Sequence, residues 1–396
     1  MSESQLKNSK KTTNFLLIVG IIFIALNLRP ALASVGPLIE EIRESTGLSN
    51  TLLGLLTTLP LIAFGVVSTL TPLFTKRFGI GGTLLGAMIL LTIGIALRYF
   101  QWIPALYLGT FLLGIAIALG NVLLPSLTKR NFSENSGFIT SMYSSLMSVG
   151  AALAAGLSVP LSDNLNLGWR GSLVVWGLLS CIAIFFWMPQ VGKLKKNTNN
   201  RSFAVAMKKM VNSKLAWKIA LFMGLQSMVF YTILAWLPVI LQSRGYDAAF
   251  AGWMLSLSQA TGIIGSLVIP YLAGKQKNQR GIVVVLVLLE LVSLTGLLFP
   301  QFGLVALWVS ILGIALGGTF GLALLFLVLR SHDTESATEL SGMAQSIGYL
   351  VAATGPMLFG GIFDLTGNWD YAIMVLFVIA FIKLYMGLGA GKAEKV

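Results

Sequence analysis

Residues 15–38 read FLLIVGIIFIALNLRPALASVGPL, and the character of that stretch limits what the chain can be. It is apolar throughout apart from Asn27, Arg29 and Ser34, so as a soluble helix it would have no polar face to turn to water. Its length suits an α-helix crossing about 30 Å of hydrocarbon at about 1.5 Å per residue. Lys7, Lys10 and Lys11 precede it, and Ala31-Leu32-Ala33 imitates a signal-peptidase site. Arg29 and Pro30, however, interrupt the core that a cleavable signal would keep apolar, and the segment has a counterpart in the second half of the chain. It reads as a retained membrane helix.

The pattern recurs to the end of the 396 residues. Hydrophobic residues make up 56% of the chain and charged ones only 10%, too few charges for an ordinary water-soluble surface. Ten-residue strands of alternating polarity are missing, which removes an outer-membrane barrel. Apolar runs predict helices over 15–38, 49–73, 80–98, 105–127, 136–160 and 170–188. A second set is predicted over 215–241, 252–272, 281–298, 304–328, 342–362 and 370–390. The expected fold is therefore all-α and integral to the membrane, with twelve transmembrane helices in two pseudo-symmetric six-helix bundles. The bundles span 1–190 and 215–396, with a polar linker over 191–214. The 42 glycines suit such helices, because small residues let backbones approach; Gly313, Gly317 and Gly321 repeat at that spacing and are read as packing positions.

A net charge of +13 raises the question of nucleic acid, but the basic residues lie in alternate short loops and not on a soluble module, so no nucleic-acid partner is expected. With the linker in the cytoplasm, about 21 of the 27 basic residues fall on that side. The opposite loops hold Glu40, Glu41, Glu44, Asp163, Asp247, Asp364 and Asp370. Both termini are then cytoplasmic, and the expected location is the inner (cytoplasmic) membrane. Cys181 stands alone, and His332 with Asp333, Glu335 and Glu339 reads as a solvated turn and not a metal site. There is no Gly-Lys-Ser/Thr phosphate loop. No cofactor and no enzymatic activity are expected.

The halves match at a spacing of about 200 residues: Gly54 with Gly252, Pro72 with Pro270, Arg77 with Lys275, Arg130 with Arg330, and Asp163 and Trp169 with Asp364 and Trp369. Six helices separate equivalent points, so the repeats run parallel. Asn27-Leu28-Arg29-Pro30-Ala31-Leu32-Ala33-Ser34-Val35-Gly36-Pro37 resembles the opening segment of the cyanate/nitroimidazole transporter branch of the major facilitator superfamily. Thr75-Lys76-Arg77-Phe78-Gly79, Gly168-Trp169-Arg170 and Asp364-Leu365-Thr366-Gly367-Asn368-Trp369 support the resemblance, which extends over essentially the whole chain. It implies alternating access and a small solute such as cyanate or a nitroimidazole. Lys76 stands where the superfamily's signature turn carries Asp, so the Lys76/Arg77 turn reads equally as an orienting or a gating element.

Few ionisable residues fall inside the predicted helices, and such residues need partners or a function. Arg29 lies about 21 Å into the first helix at about 1.5 Å per residue. Its five donors suit a small anion or an electron-rich nitro or carboxylate group; the other reading is an arginine satisfied by carbonyls and Asn27. Glu290 and Lys383 read as a buried ion pair, with proton coupling through Glu290 as the alternative. Polar and aromatic candidates for substrate contact are Asn121, Tyr143, Gln226, Tyr231, Trp236, Gln259, Gln345 and Tyr349, with Asn27 beside Arg29. The expected partners are a small-molecule substrate, the lipid bilayer and a proton as coupling ion, with the protein a monomer. A proton-coupled multidrug or aromatic-compound exporter is the alternative function.

Overall fold

A computed structural model describes residues 3–48, 50–192, 194 and 203–396; Lys193, Lys195, Lys196 and Arg201 of the linker lie outside the described residues. Regular structure among them is helical. The N-terminal stretch forms α1 (Glu3–Asn27), α2 (Pro30–Ala33), a 3-10 turn (Gly36–Leu38) and α3 (Ile39–Thr46). Then come α4 (Asn50–Leu97), α5 (Ile103–Asn131), α6 (Ser136–Ser162) and α7 (Gly168–Val191). After the linker follow α8 (Phe203–Asn212), α9 (Lys214–Ser243), α10 (Ala248–Gly274), α11 (Arg280–Leu298), α12 (Val305–Leu329), α13 (Thr334–Thr366) and α14 (Trp369–Ala390).

Eleven described spans are long and apolar enough to cross a membrane. The longest, Thr58–Leu97, is two crossings joined at Gly79, whose φ of 72° and ψ of 170° lie in a region that glycine alone enters without strain. Counting that pair separately gives the twelve crossings that the apolar runs predict.

Two boundaries differ from expectation, each for a local reason. The first helix is not continuous over 15–38 but breaks at Leu28-Arg29. Pro30 has no N–H, so the Leu26 carbonyl loses its helical donor. Pro37 does the same to Ala33, and the chain between the two prolines proceeds by short turns. The eleventh crossing starts at Thr334 and not near 342. Asp333 accepts from the Ser336 N–H at 2.8 Å, while Ser336 Oγ accepts from the Asp333 N–H at 3.0 Å, a reciprocal cap that nucleates the helix early. Glu335 and Glu339 are therefore helical and not part of a solvated turn.

The chain forms two compact units: Met1–Leu124 with Val149–Arg201, and Pro125–Ser148 with Ser202–Val396. In the first, α7 packs on α4 and α1. Trp187 lies against Gly20 and its indole N–H donates to the Gly81 carbonyl at 2.9 Å. In the second, α10 and α12 meet backbone to backbone. A Cβ at Gly313 would strike the Ser258 carbonyl, one at Gly317 the Gly262 carbonyl, and one at Gly265 the Ile314 carbonyl. Gly224 and Gly348 bring α9 and α13 together in the same way. Close backbone approach substitutes dispersion contacts for the hydrophobic drive that lipid does not supply.

Candidate substrate site

Arg29 occupies the gap between α1 and α2, half-buried, with φ −126° and ψ −31°. Its own carbonyl accepts from Leu32 and Ala33, both at 3.0 Å, and starts the short α2. The Leu26 carbonyl left by Pro30 is approached by α6 at Gly150, where an added Cβ would lie 2.7 Å from that oxygen and 3.2 Å from the Pro30 ring. Gly120 of α5 accommodates Leu28 in the same manner. Arg98, 1% exposed, donates from Nη1 to the Ala31 carbonyl at 2.7 Å. The break is thus held on several sides by residues of the first unit, and it presents a cation in a helix that would otherwise be continuous.

The remaining sequence candidates separate by what their polar atoms already do. Asn27 spends its amide donors on the carbonyls of Phe23 (2.8 Å) and Leu179 (3.0 Å), tying α1 to α7. Asn121 is buried. In the second unit Tyr143 is buried at 1% exposure. Gln226 donates to Ser227 Oγ at 2.6 Å, and Gln345 donates to Ser341 Oγ at 3.3 Å. Trp236 donates to the Pro356 carbonyl at 2.9 Å and lies 5.1 Å from the Trp369 ring. Tyr231 stands edge-on to Phe230 at 5.3 Å. Gln259 is half-buried and Tyr349 buried. Lys76 and Arg77 are exposed, the latter over the Phe78 ring at 5.3 Å.

Lys383 Nζ of α14 donates to Glu290 Oε2 of α11, and both side chains are fully buried. Glu290 Oε1 has no hydrogen-bond partner among the described residues. At the other end of these helices, Arg244 pairs with Asp370 at 3.0 Å and donates to the Leu297 carbonyl.

Sequence reasoning did not single out three groups of residues. Arg98 ends the predicted helix over 80–98, a position from which a long side chain ordinarily reaches water. Glu41 accepts from the Trp169 N–H at 3.0 Å and from Ser162 Oγ at 2.6 Å, so it caps α7; no local signal joins it to a helix that begins at Gly168. Arg330, 4% exposed, donates to the carbonyls of Ala390 (2.8 Å) and Gly391 (3.0 Å) and to Gln279 Oε1. Its carbonyl accepts from the Val396 N–H at 2.8 Å. Burial draws the Arg330 guanidinium down to about 10, against an opposing pull from Glu394, so it remains a cation at neutral pH.

The profile of the Major Facilitator Superfamily matches residues 15–356. The chain belongs to the major facilitator superfamily. It is a multi-pass membrane transporter and not an enzyme. It is 44% identical to the uncharacterized transporter YycB of Bacillus subtilis (strain 168), covering 97% of this chain and 96% of that one. It is 39% identical to the 2-nitroimidazole transporter of Escherichia coli (strain K12), covering 96% of each. The solved structure of the proton:xylose symporter XylE bound to 6-bromo-6-deoxy-D-glucose superposes with a TM-score of 0.79 at 14% identity, over 98% of each chain. That likeness places this superfamily member's fold.

Proposed function

We propose that this transporter moves a small anionic or electron-rich solute, of the cyanate or nitroimidazole kind, across the cytoplasmic membrane by alternating access. The observation that carries the reading is Arg29, a permanently charged fork held half-buried in a broken apolar helix. A cation at that depth is costly unless it has work to do, and a guanidinium matches the planar oxygens of a nitro group or the ends of a small anion. The relative named as a 2-nitroimidazole transporter supports the same class. Two bundles, 1–190 and 215–396, would rock about the linker 191–214 with both termini in the cytoplasm, as the distribution of basic loops favours.

The test is flux into proteoliposomes loaded with the purified chain, using cyanate and 2-nitroimidazole as probes. Arg29→Ala is expected to abolish flux of both while the protein still inserts and melts as a folded species; Arg29→Lys, which keeps the charge but loses the fork, should retain little. Undiminished flux through Arg29→Ala overturns the role given to Arg29.

A further inference from the structure

The Ala31 carbonyl lies in α2, two residues beyond Arg29. Ser34 N–H goes to the Pro30 carbonyl and Val35 N–H to the Leu32 carbonyl, so the short helix ends without a backbone donor for Ala31. Arg98 supplies one, at 2.7 Å. A neutral side chain could have done so at less cost. Arg98 is 1% exposed, its Nε has no partner, and no carboxylate pairs with it among the described residues. Elsewhere in this chain buried Lys383 receives a direct counter-charge and buried Arg330 receives three acceptors, whereas Arg98 has the Ala31 carbonyl. Ser34 Oγ, 0% exposed in the same break, likewise lacks a partner among the described residues. The break therefore holds, beside Arg29, a second cation that no carboxylate meets among the described residues and two unused polar atoms, Arg98 Nε and Ser34 Oγ.

We propose that Arg98 is a positioning and charge-selecting residue for the site centred on Arg29. It fixes the turn that presents Arg29, and its uncompensated charge biases that site towards anions over neutral solutes of similar size. The inference rests on the reading of Arg29 as the solute contact. A unit charge acting over about 10 Å at an effective dielectric of about 20 changes the preference for an anion roughly tenfold, which sets the size of the effect to look for.

The experiment compares cyanate, an anion, with 1-methyl-2-nitroimidazole, which carries no charge, in proteoliposomes of the full chain. Half-saturating concentration, maximal rate and melting temperature are read for wild type, Arg98→Gln, Arg98→Lys and Arg29→Ala. Arg98→Gln is expected to raise the half-saturating cyanate concentration about tenfold and to leave that of the neutral probe within about twofold. Arg98→Lys keeps the charge, so it should keep the anion preference while lowering the maximal rate through a looser turn. Equal changes for both solutes in Arg98→Gln reduce Arg98 to a structural cap and overturn the proposal. Should Arg98→Gln not fold, loss of the anion preference in Arg98→Lys overturns it instead. Arg29→Ala separates the two failures. Flux that survives Arg29→Ala removes the site itself, whereas flux lost there, with Arg98→Gln changing both solutes equally, removes only the part given to Arg98.

Discussion

Glu290 and Lys383 interrupt apolar runs as Arg29 does, but they lie in intact helices, and the chain treats the two situations differently. The pair closes on itself with no exposed atom, whereas Arg29 stays half-buried in a turn. Removing one partner of a buried pair leaves a bare charge, which costs about 3–5 kcal/mol. Glu290→Gln and Lys383→Met should each lower the melting temperature, and combining them should recover part of the loss. Strictly additive shifts in a thermal-denaturation cycle would contradict coupling between the two side chains. Both charges stood out in the sequence because they interrupt apolar runs, and a charge in such a run is visible without any knowledge of the fold. Arg98 did not stand out, because a residue at a helix end is assumed to reach water; in the fold it packs at Gly109 of α5 and donates to the Ala31 carbonyl of α2.

The broken first helix is an element-scale feature with two causes, one in sequence and one not. Pro30 in an apolar run announces a disturbed helix, but nothing local announces Gly150 of α6, whose bare Cα lets that helix approach the Leu26 carbonyl and the Pro30 ring. Pro30→Ala returns an N–H to the Leu26 carbonyl and is expected to lower flux by tenfold or more while leaving melting temperature unchanged or slightly raised. Gly150→Val, which sets a side chain against that same carbonyl, should lower both. Proteoliposome flux beside a melting curve distinguishes the two outcomes. The early start of α13 was legible in principle, since Asp333-Thr334-Glu335-Ser336 has the spacing of a reciprocal cap. Apolar windows pass over it because its first two turns carry Glu335 and Glu339.

On the scale of the whole molecule, the all-helical membrane fold and the number of crossings could be read from the apolar runs. The grouping of Pro125–Ser148 with the C-terminal unit could not. It depends on contacts far apart in sequence: Gly137 against Gly274, Ser144 Oγ donating to the Ser266 carbonyl at 3.1 Å, and the hydroxyls of Ser126 and Thr338 at 2.9 Å. If alternating access parts α5 from α13, a covalent tie at the last of these must stop it. Ser126→Cys with Thr338→Cys, oxidised to a disulfide, is expected to be transport-inactive and to regain flux on reduction. Unchanged flux in the fully cross-linked protein would mean that the seam stays shut throughout the cycle.

The seam between α10 and α12 bears on how any mutational map of this protein should be read. Gly265, Gly313, Gly317 and Gly321 leave no room for even one methyl group, so nearly every replacement there will cost folded protein. In a saturation library scored by growth or flux, those four positions would be as intolerant as Arg29 and would resemble a second binding stripe. Scoring the same library for the amount of protein reaching the membrane would separate them: the glycines lose abundance and activity together, whereas a solute contact loses activity alone.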